Sequence, residues 1–383
     1  MIDKKTIEHQ LKKVTNRMKT LKNNGMNEVF PISLIDIDCW EWPQGVGIFG
    51  LYKYYEISKD AEILAFLVDW YDSRIAEGIL ERNVNTTSPM LTLTYIYEIT
   101  KKPEYLALIE EWSAWIMETG ETAKADKTGQ IGLIRTGDGL FQHMITGNPN
   151  DGEILIDTIF MTLLFLARAA KILAKPQYLE EVNYQILSHI KYLFDKDAGL
   201  FYHGYNFNLS HNYGKIHWGR GNCWYTVAIL EYLQEFAEAF ENNVNSENAQ
   251  KLKVDESLQR YFLSIYTMQV NALKSHADKQ NSLWHTVIDD QNSYIEISCS
   301  AGFLCGILKG LRHGILPKSE FQPLADAALQ NILQFIAEDG SVGNVSYGTP
   351  IGHDKQFYLD IPIVTMTYGQ ALMILCLAEG LKG

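Results

Sequence analysis

One phrase returns along the chain and restricts the fold more than any other feature. It reads Leu51-Tyr-Lys-Tyr-Tyr-Glu-Ile-Ser-Lys-Asp-Ala-Glu-Ile-Leu64, then Tyr95-Ile-Tyr-Glu-Ile-Thr-Lys-Lys-Pro-Glu-Tyr-Leu106, then Ala170-Lys-Ile-Leu-Ala-Lys-Pro-Gln-Tyr-Leu179. Each copy is the end of one helix, a short Lys-x turn and the start of a second helix. Pro103 and Pro176 fall at the first positions of that second helix, where a missing N–H costs nothing. Helical periodicity recurs elsewhere, as in Ile48, Leu51, Tyr52 and Tyr55, and strand-like alternation is scarce. The repeated unit is therefore an αα-hairpin, and repeats of this period stack their helix pairs on one another.

Weaker copies follow, with further inner helices expected at Trp224 to Phe236, Ser300 to Leu311 and Ile363 to Leu381. Their faces are rich in Ala, Gly, Leu and Cys, as suits helices buried on nearly all sides. Six hairpins could form an open solenoid or a closed ring. The run Ala371-Leu-Met-Ile-Leu-Cys-Leu377 lies at the very end of the chain and is too apolar to cap an open stack. The expectation is an all-α (α/α)6 toroid, a single catalytic domain over residues 1–383, with residues 1–35 a peripheral N-terminal helix.

The repeat spacing also locates a working region. From Asp60 to Pro103 is 43 residues, but from Pro103 to Pro176 is 73. The excess lies near Gly120 to Gly152, and includes Thr136-Gly-Asp-Gly-Leu-Phe-Gln-His143. Long connections inside a compact domain are usually functional or disordered. Two others, Leu200 to Gly221 and Asp339 to Pro362, also lead into inner helices, so all three should open on one rim of the ring.

That segment delivers the chain to Asp157, a lone carboxylate between Ile156 and Ile159 where a polar stretch gives way to an apolar run. Two readings apply: a helix cap assisted by Thr158, or an acid whose pKa is raised by desolvation until it can donate a proton near neutrality. Other clusters sit at the starts of inner helices. Trp40-Glu-Trp42-Pro-Gln44 and Arg82-Asn-Val-Asn85 could be core and cap. Leu200-Phe-Tyr-His203 and His217-Trp218-Gly-Arg220-Gly-Asn-Cys-Trp224 are harder to explain as packing, since a histidine, an arginine and two tryptophans around two glycines make a poor core. Glu296 is read as capping a helix or pairing with a buried base. Indole plates alternating with hydrogen-bonding groups suit a sugar ring, and Arg220 could grip a carboxylate with two prongs.

Charge narrows the partners. A formal net charge of −13 argues against nucleic acid and anionic membranes, both of which need a broad basic face. No window approaches the ~20 apolar residues of a membrane span, and the charged N-terminus does not resemble a signal peptide. The five cysteines are scattered without a Cys-x-x-Cys pair, so reduced thiols and a cytoplasmic location are expected. The histidines lack zinc-site spacing, and neither a phosphate loop nor a G-x-S-x-G elbow occurs. No metal or other cofactor is expected.

Taken in order, Ile156-Asp157-Thr-Ile-Phe-Met161, Leu200-Phe-Tyr-His203-Gly-Tyr, His217-Trp218-Gly-Arg220-Gly-Asn-Cys-Trp224 and Ile297-Ser-Cys-Ser-Ala301 resemble glycoside hydrolase family 105, the unsaturated rhamnogalacturonyl hydrolases. The resemblance runs from about Trp40 to the C-terminus. It implies an (α/α)6 barrel that removes a 4,5-unsaturated uronic acid from the non-reducing end of lyase-generated acidic oligosaccharides; a monomer or weak homo-oligomer is expected. It further implies that Asp157 is the catalytic acid, that Trp40, Trp42, Trp218 and Trp224 wall the sugar site, and that His203 and Arg220 bind it, with Gln44, Asn85 and His143 as further contacts. The related unsaturated glucuronyl hydrolases carry a second aspartate where Asn85 stands, so Asn85 is read as a hydrogen-bonding residue and not a proton carrier. Two alternatives are a conventional two-carboxylate glycosidase and a non-catalytic helical repeat that binds carbohydrate.

Overall fold

A computed structural model of the protein describes residues 2–22, 35–79, 81–118, 132–145, 148–149, 152–237 and 252–382. The helices are α1 (Lys4–Lys19), α2 (Trp42–Ser58), α3 (Ala61–Glu77), α4 (Ser88–Thr100), α5 (Pro103–Met117), α6 (Leu164–Leu173, entered through a π-helical turn at Ile159–Leu163), α7 (Pro176–Leu193), α8 (Gly219–Phe236), α9 (Glu256–His276), α10 (Ile297–Arg312), α11 (Lys318–Ile332), the short α12 (Lys355–Leu359) and α13 (Thr367–Lys382). None of them is long and apolar enough to cross a membrane.

The recurring phrase is a left-handed turn. Lys59, Lys101 and Ala174 hold φ of 53, 56 and 53°, and the next helix begins two residues later. The N–H groups of Lys59 and Lys101 reach the carbonyls of Tyr55 and Tyr97 at 2.9 and 2.8 Å, satisfying helix ends that would otherwise be left open. This conformation costs a residue with a Cβ about 1–2 kcal/mol. The packing of the two helices that the turn brings together offsets that cost.

The inner helices form a closed ring. In order, α2 packs on α4, α4 on α6, α6 and its π turn on α8, α8 on α10, α10 on α13, and α13 back on α2. This is the (α/α)6 toroid, with α3, α5, α7, α9 and α11 as outer partners of the helices that precede them. Close approach between inner helices depends on small residues. A Cβ added to Gly45 would lie 2.6 Å from the Pro89 backbone nitrogen of α4, so the first turns of α2 and α4 are in backbone contact.

The sixth outer place is taken by α1. Its buried residues Ile7, Leu11, Val14 and Met18 cover α13, and Gln370 of α13 donates to the Val14 carbonyl at 3.2 Å. The N-terminal helix, expected to be peripheral, packs as the outer partner of α13; residues 23–34 fall outside the described residues. Three inner helices begin elsewhere than the sequence reading placed them. α8 starts at Gly219 and α10 at Ile297, both earlier, because Trp218 and Glu296 already have extended N-cap backbone. α13 starts later, at Thr367, because Ile363 is held in a β-bridge with Ser346.

At the C-terminal ends of the inner helices a buried ion cluster ties three of them together. Glu231 of α8 lies 2.9 Å from Lys53 of α2 and 2.6 Å from Lys309 of α10. All three side chains are nearly inaccessible, so each charge needs the others.

Candidate active site

All six inner helices start on the same rim, opposite that cluster. The connections into them interlock there: Glu153–Leu155 pairs antiparallel with Gly204–Asn206, Trp218 bridges Val287, and Ser346 bridges Ile363. The described parts of the three long connections therefore meet on one face, as expected. Residues 119–131, 146–147 and 150–151, within the segment that accounts for the repeat excess, are outside the described residues.

The strand pair sets Asp157 beside His203. Ile156 N–H donates to the His203 carbonyl at 3.1 Å, and the next residue turns its carboxyl into the ring. The Asp157 side chain is 14 % exposed, with His203 Nε2 at 3.6 Å from Oδ2. Oδ2 has no hydrogen-bond partner in the protein. Burial pushes the carboxyl up to about 7, against the opposing pull of Arg220, of its own backbone N–H and of the Trp224 indole. The cap reading does not apply. It is the Asp157 carbonyl, not the carboxylate, that receives the Phe160 and Met161 N–H groups, both at 3.0 Å. Thr158 makes no cap either; its hydroxyl meets His143 Nδ1 at 3.1 Å. The π turn begins two residues after Asp157, and such widened turns are frequent at functional sites.

His203 is buried, and Nδ1 lies 2.9 Å from the Tyr358 hydroxyl. Its ring packs on Trp218 with centroids 4.2 Å apart. Burial, then the neighbouring His143 and Arg220, hold it well below the usual imidazole range, so it is neutral at physiological pH. Gly221 makes this packing possible, since a Cβ there would stand 2.9 Å from Trp218 Cε3 and 3.6 Å from His203 Cδ2.

Arg220, on the first turn of α8, is sandwiched between Trp218 and Tyr368, 4.5 and 4.7 Å from their ring centres. Both terminal nitrogens are engaged within the protein. They donate to the Ser346 carbonyl (3.0 Å), the Ser346 hydroxyl, the Tyr347 carbonyl (2.9 Å) and the Thr349 hydroxyl (2.7 Å), with Glu296 3.8 Å away. The two-pronged grip expected on a ligand is thus directed at the protein's own 346–349 segment. Glu296 fills both roles considered for it, capping α10 through Cys299 N–H at 2.6 Å and facing the buried base.

Trp42 stacks on Tyr368 at 4.7 Å and meets Trp224 edge-on at 6.2 Å. The structure thereby unites Trp42, Trp218, Trp224, Arg220, His203 and Asp157, with His143 and Asn85 on adjoining elements. Asn85 is buried, its N–H bound to Asn83 Oδ1 at 2.9 Å. Gln44 is fully buried and donates to the Asp36 carbonyl at 2.7 Å. Trp40 stands apart from this group. It stacks on Trp70 at 5.5 Å and packs against Trp112 of the outer layer, and its indole N–H reaches the Thr86 carbonyl at 2.8 Å. Sequence reasoning missed Tyr358 and Tyr368. The former lies in a connection already marked as long and the latter on an apolar helix, and neither forms a motif. Among the described residues no group of three or more His, Cys, Asp or Glu could hold a metal ion.

The buried polar atoms around Asp157 include further ones without protein partners, namely Nε2 of His203 and the indole nitrogen of Trp218. Buried polar groups are usually satisfied, and these exceptions beside Asp157 make this the candidate ligand site. Comparison with known proteins shows the family. Residues 11–383 match the model for Glycosyl Hydrolase Family 88. The chain belongs to that family. A solved structure from Salmonella enterica serovar Paratyphi A, a possible member of the GH105 family, shares 35% identity and a TM-score of 0.86, covering 100% of this chain and 95% of that one. The unsaturated rhamnogalacturonyl hydrolase YesR of Bacillus subtilis is 25% identical over 347 residues, 90% of each chain. The unsaturated glucuronyl hydrolase of Bacillus sp. GL1, at 15% identity, shares the fold with a TM-score of 0.68 over 98% of this chain and 96% of that one. The family 88 chain is a glycosidase, and the likeness to family 105 read from its motifs extends over its whole length.

Proposed function

We propose that this glycosidase removes a 4,5-unsaturated uronic acid from the non-reducing end of oligosaccharides left by polysaccharide lyases, rhamnogalacturonan fragments being the first to test. The observation that carries the reading is Asp157: a mostly buried carboxyl, raised to about 7 by burial, with Oδ2 unpartnered and His203 Nε2 3.6 Å away. Such a group is protonated often enough at neutral pH to act as an acid, and its conjugate base is strong enough to take the proton back.

An enol ether is attacked first by a proton. Asp157 donates its proton to C4, leaving a cation shared between C5 and the ring oxygen. Water adds at C5, and the Asp157 carboxylate takes one of its protons, so the acid is regenerated. The C5 hemiketal opens to a ketone and the hemiacetal at C1 releases the sugar alcohol; the net change is addition of one water. This needs one carboxyl, unlike the paired carboxylates of retaining and inverting enzymes. Glu296 is poorly suited to be a second, being fully buried and occupied by Ser298, Cys299 and Ser346. The acidic substrate is also favoured by the rim itself. Six helix N-termini converge there, each carrying about half a positive charge, which offsets locally the net charge of −13.

Lyase-treated rhamnogalacturonan absorbs in the ultraviolet through its conjugated double bond, and turnover should abolish that absorbance. In deuterated water the released sugar should carry deuterium at C4. Cleavage of saturated glycosides with no loss of absorbance would establish the two-carboxylate alternative instead.

A further inference from the structure

We propose that Tyr358 is a positioning residue that fixes His203 as the tautomer protonated on Nε2, with that N–H turned toward Asp157. Tyr358 is fully buried and its hydroxyl has two neighbours. Gly352 N–H donates to it at 2.9 Å, so that contact uses a lone pair and not the hydroxyl proton. The other neighbour is His203 Nδ1 at 2.9 Å. A neutral imidazole has one donor and one acceptor nitrogen. If Nδ1 carried the proton, the tyrosine would face two donors and its own buried hydrogen would have no acceptor. The arrangement that satisfies every atom is O–H of Tyr358 to Nδ1, with the imidazole proton on Nε2.

The tyrosine is held firmly enough to act in this way. It lies on α12, within a rim segment fixed at several points. Arg220 binds Ser346, Tyr347 and Thr349, His353 stacks on Tyr213 at 4.3 Å, and Lys355 pairs with Asp290 at 2.8 Å. Trp218 packs against both the His203 and Tyr358 rings, at 4.2 and 5.9 Å.

The tautomer decides what Asp157 can do, a consequence that rests on the reading of Asp157 as the proton donor. With the proton on Nε2, His203 presents a donor 3.6 Å from Asp157 Oδ2; it leaves the acid free to protonate substrate and steadies the carboxylate that forms. With the proton on Nδ1, a lone pair would face Asp157 and draw the acidic proton to itself.

The test uses the full-length protein labelled with ¹⁵N-histidine, and reads the tautomer from long-range ¹H–¹⁵N spectra at neutral pH, with His203→Gln to assign its signals. The wild-type ring should be protonated on Nε2. Tyr358→Phe should give a mixture or the other tautomer. On lyase-generated rhamnogalacturonan fragments its kcat should fall by about 10- to 100-fold, the scale known for partners that orient metal-bound histidines, with KM within about twofold. An Nδ1-protonated His203 in the wild type overturns the proposal, even if Tyr358→Phe does not fold. So does a folded Tyr358→Phe protein with full kcat. Should Asp157→Asn retain turnover, the proton-donor reading falls, whereas the tautomer measurement still decides the role of Tyr358.

Discussion

Replacing Asp157 by Asn should abolish turnover and at the same time make the protein more stable, increasingly so as the pH rises. Burial lifts the carboxyl from 3.8 to about 7 in the folded protein. A group whose folded pKa is raised binds its proton more tightly in the folded state, so the sign is clear: below pH 3.8 it costs nothing, and the cost grows as pH climbs through the window up to about 7. At 1.36 kcal/mol per unit, the penalty is below about 2 kcal/mol at pH 5 and about 4 kcal/mol at pH 8. An amide of the same shape does not ionise and escapes it. Part of the gain is returned because the new NH₂ faces the His203 and Trp224 donors, but that part does not vary with pH. Urea unfolding of both proteins should therefore show a stability gain for Asp157→Asn that is about 2–3 kcal/mol larger at pH 8 than at pH 5. Loss of the ultraviolet absorbance of unsaturated substrate should slow by at least about 10²- to 10⁴-fold, the worth of a positioned acid. A stability difference that is the same at both pH values would refute the buried-acid account. Retained turnover would refute the role of Asp157 in the reaction.

Arg220→Gln should lower stability by about 3–5 kcal/mol, because it strips the buried Glu296 of its cation and frees the 346–349 segment, with kcat falling alongside. An unchanged urea midpoint with a raised KM would instead place the guanidinium on the substrate carboxylate. Glu231→Gln should cost up to a similar amount at neutral pH, since the buried Lys309 would lose its ion-pair partner and Lys53 would keep only Glu56, 3.1 Å away. Burial raises the Glu231 carboxyl, but the two lysines outweigh it and hold it well below the usual range. Its stabilisation is therefore present above the unfolded value of 4.5 and lost as pH falls below it, so the gap between wild type and Glu231→Gln should narrow in acid. A gap that stays constant from pH 7 to pH 3 would rule the network out as a source of stability.

The helical repeat could be read from the amino-acid order because it rests on contacts between residues near one another in the chain; closure of the ring and the neighbourhood of the site join distant segments, and the order carries only local signals of them. The Lys59 and Lys101 turns, the apolar run of α13 and the Trp218-Gly-Arg220-Gly motif are local signals of that kind. Helix starts were less legible: Trp218 and Glu296 begin α8 and α10 earlier than apolar periodicity does, since a cap is defined by backbone shape and not by hydrophobicity. Only the tertiary structure decided what the polar residues are for. Asp157 could have been a cap, but the tertiary structure buries its carboxyl, and that burial raises it against the pull of Arg220 and Trp224 on α8. Arg220 could have reached a ligand, but its donors meet a segment 126 to 129 residues away. Tyr358 meets His203 across 155 residues. Desolvation and charge act through space, so the pKa of Asp157 and the tautomer of His203 are set by neighbours that no local window of the sequence contains.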